Sequence, residues 1–488
     1  MKEPPSSPRD APPASKDTPV LESKTSPILS LPYTEKEEKS LLLKQDLTIL
    51  PLCAFIYLLC YLDRSNIGNA RILNSSTKND MQTEIKASQY EFNIALMVFL
   101  VGYAVFEVGS NVCLKKLRPS RWLAFLMFSW GAITIGLGGV TTFSATAGVR
   151  FLLGAFEAGL FPGLVYYITF WYRYDERSVR VALILASATL AGAFGGSIAY
   201  GIGQGMNGVR GLSAWRWLFI LEGIPSCVSA VLVWFLLPDY PETAYFLKER
   251  EKEVAAARLK GEGSQMEDKS MTWEDAKKTL TDWRLYGHYA VYFGVSVPFS
   301  SLSLFAPSIT AGLGYKDLRA QLMTVPPYAV SYVTQIAVAW SADHFNARGT
   351  HSAVLALVGA VGFMASALLP PESYLERYGC LIVASAGAFA CIPPLLGWLT
   401  SNMYSTASVG LAIAINVSIG AGVGQMPGVW IYKAEERDSG YPTGHWVNAA
   451  MLFFVSVGVA GLRVFYGYKN RRLLEEKGEG EEVRLYKL

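Results

Sequence analysis

The sequence predicts an all-α membrane protein in which twelve transmembrane helices form two bundles of six. Of its 488 residues, 51% are hydrophobic and 17% are charged, whereas a soluble protein carries about 25% charged residues. The apolar residues gather in runs of about 20 with almost no charge, the length that a helix needs to cross a bilayer. One long polar stretch, from Pro238 to Arg284, divides these runs into two groups of six.

The predicted elements follow one another in a simple order. Residues 1–32 hold eight prolines among polar residues and no apolar run, which predicts a disordered cytosolic tail. The apolar runs are centred near Ile56, Val101, Ile133, Gly159, Leu190, Ser229, Val297, Val330, Ala360, Ala388, Gly420 and Val455. The predicted units are a tail over 1–45, a first bundle over 46–238, a cytosolic central loop over 239–284, a second bundle over 285–468 and a cytosolic tail over 469–488.

The distribution of lysine and arginine predicts the orientation in the membrane. These residues are concentrated in the tail, in the loops after the second, fourth, sixth and eighth runs, and at the C-terminal end. Cytosolic loops carry such an excess, and an even number of crossings puts both ends on one side. We therefore expect a multi-pass protein of the plasma membrane with both termini in the cytosol. Asn74, in the sequence Asn-Ser-Ser, then lies on the external side as a candidate glycosylation site.

Composition also excludes several classes of function. The net charge of +3 is too balanced for a nucleic-acid-binding protein. All six cysteines lie in apolar runs without a Cys-x-x-Cys spacing, and the four histidines are scattered, which argues against disulfides and metal sites. There is no phosphate-binding Gly-x-x-x-x-Gly-Lys-Ser/Thr motif and no cluster with a nucleophile and its base. We expect no cofactor and no enzymatic activity, so any energy for its function comes from a gradient or from nothing.

Charged residues inside the apolar runs are the main functional candidates, since each costs roughly 2.5–3.5 kcal/mol to insert at the centre of a helix. Arg150 and Glu157 on the fourth run are seven residues apart, so they project from one helical face about 10 Å apart along its axis. Burial favours the protonated form of a carboxyl group and a nearby guanidinium favours its ionised form, so movement of the arginine can load a proton. Glu157 is therefore a candidate proton switch. The alternative is a fixed ion pair that orients helices.

The first run carries a second charged pair. Asp63 is a candidate partner of Glu157 in proton coupling, and Arg64 is its neighbour in sequence. Consecutive residues on a helix point about 100° apart, so these two do not pair well with each other. The sequence therefore predicts that Arg64 is free to hold an anion through two hydrogen bonds.

Weaker candidates fall into two groups. Substrate contacts are predicted for Tyr103, Tyr167, Asn402 and Asn416, for which packing between helices is the alternative. Gating or latch contacts are predicted for Glu107, Asn111, Lys115 and Arg118 at the cytosolic end of the second run, for Glu222 in the sixth, and for Asp343 and Arg348 after the eighth. Glu222 precedes Gly223 and Pro225 and could instead line the cavity or pack helices.

The two halves contain similar sequences. Arg150 precedes Phe-Pro-Gly-Leu at 161–164, and Arg377 precedes Ile-Pro-Pro-Leu at 392–395; the fifth and eleventh runs are both rich in glycine. Small residues let helices pack closely, and repeated helical halves around a midplane site are typical of secondary transporters.

Several motifs resemble those of a known family. They are YLDRSNIGNA at 61–70, RFLLGAFEAGLFPG at 150–163, WRWLFILEGIP at 215–225, LPDYPE at 237–242 and PPY at 326–328. Together they resemble the anion:cation symporters of the major facilitator superfamily, specifically the fungal allantoate permease group. The loop after the second run departs from the superfamily's Gly-x-x-x-Asp pattern, and the loop between the tenth and eleventh runs carries no basic residue.

The resemblance implies a twelve-helix major facilitator fold and proton-coupled uptake of a small organic anion by alternating access. It implies proton coupling at Asp63 and Glu157, with Arg64 and Arg150 as the substrate-binding and gating arginines. The expected partners are a small carboxylate, such as allantoate or a vitamin acid, a proton and the lipid bilayer, with the chain acting as a monomer. The alternatives are a nutrient sensor with a transporter fold, and a uniporter or exporter of a neutral solute.

Overall fold

The computed structural model describes residues 33–173, 176–259, 273–315, 317–403, 406–476 and 485–488. The described residues form helices and connecting turns, with no strand among them. In the first half, the long helices are α1 (Glu35–Ile72), α2 (Gln89–Lys116), α3 (Pro119–Leu137), α4 (Phe143–Glu157 continued by Leu160–Ile168), α5 (Arg177–Gly205) and α6 (Ala214–Leu236).

The second half repeats this arrangement. Its long helices are α7 (Trp283–Gly312), α8 (Val325–His344), α9 (Arg348–Leu368), α10 (Tyr374–Ala390 continued by Ile392–Ser401), α11 (Thr406–Val417, Ser418–Gly424 and Met426–Trp430) and α12 (Pro442–Glu475). Shorter helices and turns are Ser75–Thr77, Met81–Glu84, Val209–Gly211, Pro241–Thr243, Glu249–Leu259, Trp273–Thr281, Asp317–Leu322 and Ala434–Glu436. The fold is the predicted one, an all-α architecture of two six-helix bundles. Eleven of the twelve predicted centres lie within these helices, and Gly159 lies in the break of α4.

Eleven of the long helices among the described residues are long and apolar enough to cross a membrane. The exception is α8, whose sequence carries Ser331 and Gln335, and both of these side chains are buried. A helix whose polar side chains face the protein interior needs fewer apolar residues, because only its outer face contacts lipid. This is why α8 occupies the place of the eighth predicted span with lower overall hydrophobicity.

The predicted boundaries of both tails are wrong. Helix α1 begins at Glu35, not near residue 46, because Thr34 and Glu37 form a capping box and acidic residues occupy the first turn. At the other end, α12 continues to Glu475 and residues 485–488 contact the protein. The predicted disorder of residues 1–32 lies outside the described residues.

Helices α4 and α10 are interrupted at matching places. The break in α4 precedes Pro162, and the break in α10 precedes Pro393 and Pro394. Proline lacks the amide hydrogen that continues a helix and its ring clashes with the preceding turn. The similar sequences in the two halves therefore produce the same local geometry. Helix α11 is distorted differently, by a π-helical segment over Ser418–Gly424, a feature frequent at functional sites.

The two bundles contact each other on both sides of the molecule's centre. On the side away from the chain ends, Gln321 donates to the backbone oxygen of Asn69 over 3.1 Å, and the backbone of Gly68 lies against that of Leu304. On the side of the chain ends, α4 and α5 approach α10 and α11 around Thr169 and Gly397. The space at the centre is therefore enclosed by protein on both sides.

Candidate functional site

A narrow pocket lies where the two bundles meet. Side chains of α1, α2 and α4 line one wall, and side chains of α7 and α11 line the other. The lining residues are Tyr61, Arg64, Ser65, Leu96, Phe99, Leu100, Arg150, Ser300, Ser303, Leu304 and Gln425. We call this the central pocket. Because both bundles contribute to it, a ligand bound there would contact both bundles.

Arg64 and Glu157 form a buried ion pair beside the central pocket. The Nε atom of Arg64 lies 2.9 Å from Oε2 of Glu157, and the carboxylate side chain is 0% exposed. The guanidinium carbon of Arg64 also lies 4.6 Å from the centre of the Tyr103 ring, a cation–π contact. The second carboxylate oxygen, Oε1, has no hydrogen-bond partner among the described residues. The pair joins α1 to α4 through a single charge-assisted hydrogen bond.

Arg150, the second arginine of the central pocket, forms no ion pair among the described residues. It is 1% exposed, and its Nε and Nη1 atoms have no hydrogen-bond partner among the described residues. Its guanidinium carbon lies 4.5 Å from the centre of the Phe99 ring. A cation–π contact of this kind is worth about 0.5–2 kcal/mol, less than the cost of burying an unpaired charge.

The predicted roles of the two arginines are therefore reversed in this structure. The sequence predicts that Arg64 is free and that Arg150 is the arginine associated with Glu157. In the structure, Arg64 holds Glu157 and Arg150 is free. The reason is geometric: two helical turns separate Arg150 from Glu157 along α4, whereas Arg64 reaches Glu157 sideways from the neighbouring helix.

Asp63 lies outside the central pocket. Its Oδ2 atom accepts a hydrogen bond of 2.6 Å from Ser226 of α6, and Oδ1 has no partner among the described residues. Glu222, predicted to gate, lies on the same helix as Ser226 and accepts a hydrogen bond from Asn66 of α1. Both acids are thus buried between α1 and α6 within the first bundle, and neither lies among the residues that line the central pocket.

Of the four predicted substrate contacts, Tyr103 lies beside the central pocket, against Arg64. Tyr167 does not, because its hydroxyl donates over 2.6 Å to the backbone oxygen of Pro238 in the loop after α6. Asn402 is also misassigned, since its side chain bonds the backbone of Lys487 at both N and O. Asn416 is buried in α11 but is not among the residues that line the pocket.

The predicted latch residues have different environments. Glu107 accepts a hydrogen bond of 2.9 Å from Ser418, so it joins α2 to α11 across the bundles instead of holding the basic cluster. Asp343 and Arg348 form an ion pair of 2.6 Å, as expected of a latch, and Arg348 also donates to Ser401.

Four further predicted residues lie near helix ends. Asn111 is half-buried with an unpartnered Nδ2 atom and Arg118 is exposed, while the side chain of Lys115 lies outside the described part of the chain. Asn74 is 8% exposed, and its Nδ2 atom is buried. Its glycosylation stays a prediction, and would require this side chain to turn outward.

Sequence reasoning missed several residues of the central pocket. Phe99 contacts both arginines through its ring, and Gln425 and Ser300 supply polar groups from the second bundle. Tyr61 and Ser303 are joined by a hydrogen bond across the bundles. Gln425 could have been found as an isolated amide at the end of a glycine-rich run. An apolar ring such as Phe99 carries no signal of this kind.

Two six-helix bundles that share a buried, charged pocket define a multi-pass membrane transporter. The chain belongs to the Major Facilitator Superfamily, whose sequence model matches residues 53–429.

Similar proteins place the chain among transporters. It is 64% identical over 456 residues to the MFS transporter prlL of a Fungal sp. strain, covering 93% of this chain and 92% of that protein. It is 30% identical over 408 residues to the major facilitator-type transporter hxnP of Emericella nidulans, with coverage of 81% and 79%. It is 30% identical over 387 residues to the putative metabolite transport protein NicT of Pseudomonas putida, with coverage of 79% and 86%.

Solved structures agree on the fold. The proton:xylose symporter XylE superposes with a TM-score of 0.62 at 16% identity, covering 82% of this chain and 94% of that one. A bacterial homologue of the human lysosomal transporter Spinster, in an inward-facing state, gives a TM-score of 0.60 at 15% identity, with coverage of 92% and 100%. At this identity the likeness concerns the fold alone.

Proposed function

We propose that the protein is a proton-coupled symporter that takes up a small organic anion across the plasma membrane by alternating access, as in the allantoate permease group. The observation that carries this proposal is the free guanidinium of Arg150 in a pocket shared by the two bundles. The resemblance of the motifs around Asp63 and Arg150 to that group supports it, and so does the concentration of basic residues in the loops assigned to the cytosol.

We assign an anionic substrate because Arg150 has unpartnered donors and forms no ion pair among the described residues. A buried guanidinium whose direct contact is an aromatic ring, with the nearest carboxylate already paired to Arg64, is poorly compensated for the loss of its water. A carboxylate would supply two charge-assisted hydrogen bonds in the geometry of the guanidinium fork. Ser300 and Gln425 would donate to the same ligand from the second bundle, so that the bound anion draws the bundles together.

Proton coupling is assigned to Glu157. Protonation of this carboxyl removes its charge and weakens its attachment to Arg64. Arg64 can then turn toward the pocket and reinforce Arg150 in holding the anion. Loss of the proton on the other side of the membrane restores the Arg64–Glu157 pair and weakens the hold on the substrate. A monoanion that moves with one proton crosses without net charge, so the pH gradient alone drives it.

Asp63 is assigned a supporting role in this scheme. It contacts Ser226 inside the first bundle and has no contact with either arginine that we assign to the substrate or the switch. Its position between α1 and α6 suits a group that sets the orientation of α1. Proton coupling therefore requires Glu157 and tolerates a neutral residue at position 63 better than at position 157.

The proposal is tested by uptake of labelled carboxylates into proteoliposomes, with and without an inward proton gradient. Arg150→Gln is compared with Arg471→Gln, a charge removal at an exposed position of α12. We expect one acid on the panel to accumulate in the parent and in Arg471→Gln, and its uptake to be lost in Arg150→Gln. Gradient-driven accumulation of a neutral solute that survives Arg150→Gln would contradict the assignment of an anion, and binding without flux would favour a sensor.

A further inference from the structure

A second and larger cavity, of about 520 Å³, lies on the side of the molecule away from the chain ends. It is bounded by the end of α1, the turn Ser75–Thr77, the end of α7 and the loop between α11 and α12. Six of its lining residues carry the argument: Arg71, Phe305, Ser308, Tyr432, Arg437 and Tyr441. We call this cavity the vestibule.

Arg71, in the last turn of α1, lines the vestibule with an incompletely satisfied guanidinium. Its Nη2 atom donates to Gln89, whereas Nη1 is buried and has no hydrogen-bond partner among the described residues. The guanidinium carbon lies 5.5 Å from the centre of the Phe92 ring and 5.3 Å from that of Phe305. Arg71 is therefore held in place by an amide and two rings, and among the described residues it keeps one unused donor and forms no ion pair.

A second guanidinium, that of Arg437, lines the same cavity from an exposed position. In the part of the chain that the structure describes, it contacts no carboxylate. The buried Asp80 attracts Arg71 from a distance but forms no ion pair with it, because its carboxylate accepts from Thr83; Glu436 accepts from Thr443. Among the described residues, two guanidinium groups thus line one cavity without an ion-paired carboxylate, an arrangement that an anion would stabilise.

Aromatic rings limit what the anion can be. Phe305 and Tyr432 stack with centroids 5.8 Å apart and an angle of 22° between their planes, and Tyr441 lies edge-on to Tyr432 at 5.5 Å. Flat ring faces beside a cation suit a ligand with a planar apolar body and a charged end. An inorganic anion would use the arginines and leave the rings without a role.

We infer that the vestibule is a second anion site, which holds a planar carboxylate between Arg71 and Arg437 before it enters the central pocket. Helix α7 connects the two sites, because Ser303 and Leu304 line the central pocket and Phe305 and Ser308 line the vestibule. The contact of Gly68 with Leu304 separates them in this structure. That the anion moves on to Arg150 rests on the proposed function, whereas binding in the vestibule does not.

The test measures equilibrium binding of labelled benzoate to the purified full-length protein in detergent, with neutral benzamide as the matched ligand control. One variant removes the vestibule charges (Arg71→Gln with Arg437→Gln), and one removes the charge of the central pocket (Arg150→Gln). Arg210→Gln is the control variant, since Arg210 is an exposed residue of the turn Val209–Gly211, after α5 and on the same side of the molecule. Thermal melting of each variant establishes that it is folded.

We expect two saturable phases for benzoate in the parent and in Arg210→Gln, and none for benzamide. The vestibule variant should lose one phase, with affinity at that site falling at least about tenfold, as expected when a charged hydrogen bond is lost. Arg150→Gln should keep that phase and lose the other. If the vestibule variant binds like the parent, or if no variant binds benzoate saturably, the vestibule site is contradicted. If the vestibule variant loses one phase but Arg150→Gln binds like the parent, the vestibule site is supported and the proposed role of Arg150 is contradicted.

The single variant Arg437→Gln should fold like the parent, because Arg437 is exposed and makes no side-chain bond among the described residues. Its transport kinetics are therefore measured in proteoliposomes. A capture site on the entry path predicts an increase in KM of about tenfold with kcat unchanged. Equal KM values for Arg437→Gln and Arg210→Gln would overturn a role in substrate capture.

Discussion

Arg150 is buried and Arg64 is mostly buried beside the central pocket, yet their partners give them different roles. Arg64 is neutralised by Glu157, and Arg150 is left to a ring and to whatever enters the pocket. A substitution at Arg64 therefore leaves a carboxylate without its partner, whereas a substitution at Arg150 leaves no acid behind. A substitution at Arg64 should therefore impair proton coupling, whereas a substitution at Arg150 should impair substrate binding.

Replacement of Arg150 by lysine separates charge from geometry. Lysine keeps the positive charge but replaces the planar fork with a single ammonium group, so the bidentate hold on a carboxylate is lost. We predict a KM for the transported acid that is about tenfold higher than in the parent, with uptake still detectable at high concentration. Concentration-dependent uptake in proteoliposomes measures this. A lysine variant with the parent's KM would show that Arg150 does not hold the carboxylate.

For single residues, the sequence predicts which charged side chains lie inside the helices but not which of them form ion pairs. Arg150 and Glu157 stand out because charges are rare in apolar runs. Which arginine contacts Glu157 depends on how α1 lies beside α4, and this tertiary packing is not encoded in the spacing within either helix. Tyr167 and Asn402 were misassigned for a related reason, because their polar groups bond loop and tail backbone that is distant in sequence.

Among the elements, the contact between α2 and α4 determines where the pocket residues lie. A Cβ atom on Gly154 would come within 2.1 Å of the backbone oxygen of Phe99 and 3.1 Å of the backbone nitrogen of Tyr103. Phe99 and Tyr103 are the rings that contact the two arginines. The absence of a side chain at position 154 therefore lets α2 approach close enough to place both rings.

We predict that Gly154→Ala forces α2 away from α4 and lowers both stability and uptake. Overpacking of this kind costs typically about 1–3 kcal/mol. The matched control is Gly148→Ala, on the same helix, where an added Cβ atom meets nothing within 4 Å. Thermal melting in detergent and uptake in proteoliposomes measure both variants. Parent-like stability and uptake in Gly154→Ala would contradict this account of the α2–α4 contact.

The start of α1 is held by a short helix of the central loop. Glu38 accepts from Arg173 and from Arg258, each over 2.9 Å, and the side chain of Arg258 is 0% exposed. Arg258 belongs to the helix Glu249–Leu259, which also bonds α1 through the 2.7 Å pair of Glu251 with Lys44. This network connects α1, the loop after α4 and the central loop.

We predict that Glu38→Gln lowers stability by about 1.5–3 kcal/mol, because two charge-assisted hydrogen bonds lose their acceptor charge beside a buried arginine. The control is Glu35→Gln, one turn earlier, whose ion pair with Lys39 is exposed on both sides and should contribute nothing measurable. Melting temperatures of the two variants, measured at low and high salt, test this difference. Equal melting temperatures for the two variants would contradict the network's structural role.

Element positions were largely predictable and element ends were not. The twelve apolar runs locate the long helices because the bilayer fixes their length, and the prolines after Gly159 and Cys391 mark the breaks of α4 and α10. The first turns of α1 are polar, so the sequence predicts a tail there. Their helical structure depends on a capping box and on ion pairs with charged residues of the central loop. Only the folded chain brings those charges together.

For the whole molecule, the last four residues connect three helices of the second bundle. Asn470 of α12 bonds the backbone N and O of Tyr486 at 2.8 Å each, and Asn402 and Trp398 of α10 bond the backbone of Lys487. Arg284 of α7 donates to the hydroxyl of Tyr486. The C-terminal segment therefore ties α7, α10 and α12 together at their ends.

We predict that removal of residues 485–488 and Asn470→Ala each lower the melting temperature, and that their effects are not additive. Once the segment is gone, Asn470 has lost the backbone groups that it bonds, so its replacement should cost nothing further. Lys469→Ala, at an exposed neighbouring position, is the control and should add independently. A full additional loss from Asn470→Ala in the shortened protein would contradict docking of the segment.

In the proposed mechanism, Glu157 couples a proton to an anion held by Arg150. This coupling is tested by comparing gradient-driven accumulation with exchange of labelled substrate in proteoliposomes, for the parent, Glu157→Gln and the exposed control Glu376→Gln. Because glutamine imitates the protonated acid, Glu157→Gln should exchange substrate at a rate close to the parent's but fail to accumulate it. Accumulation by Glu157→Gln against the substrate gradient, at the level of Glu376→Gln, would contradict the claim.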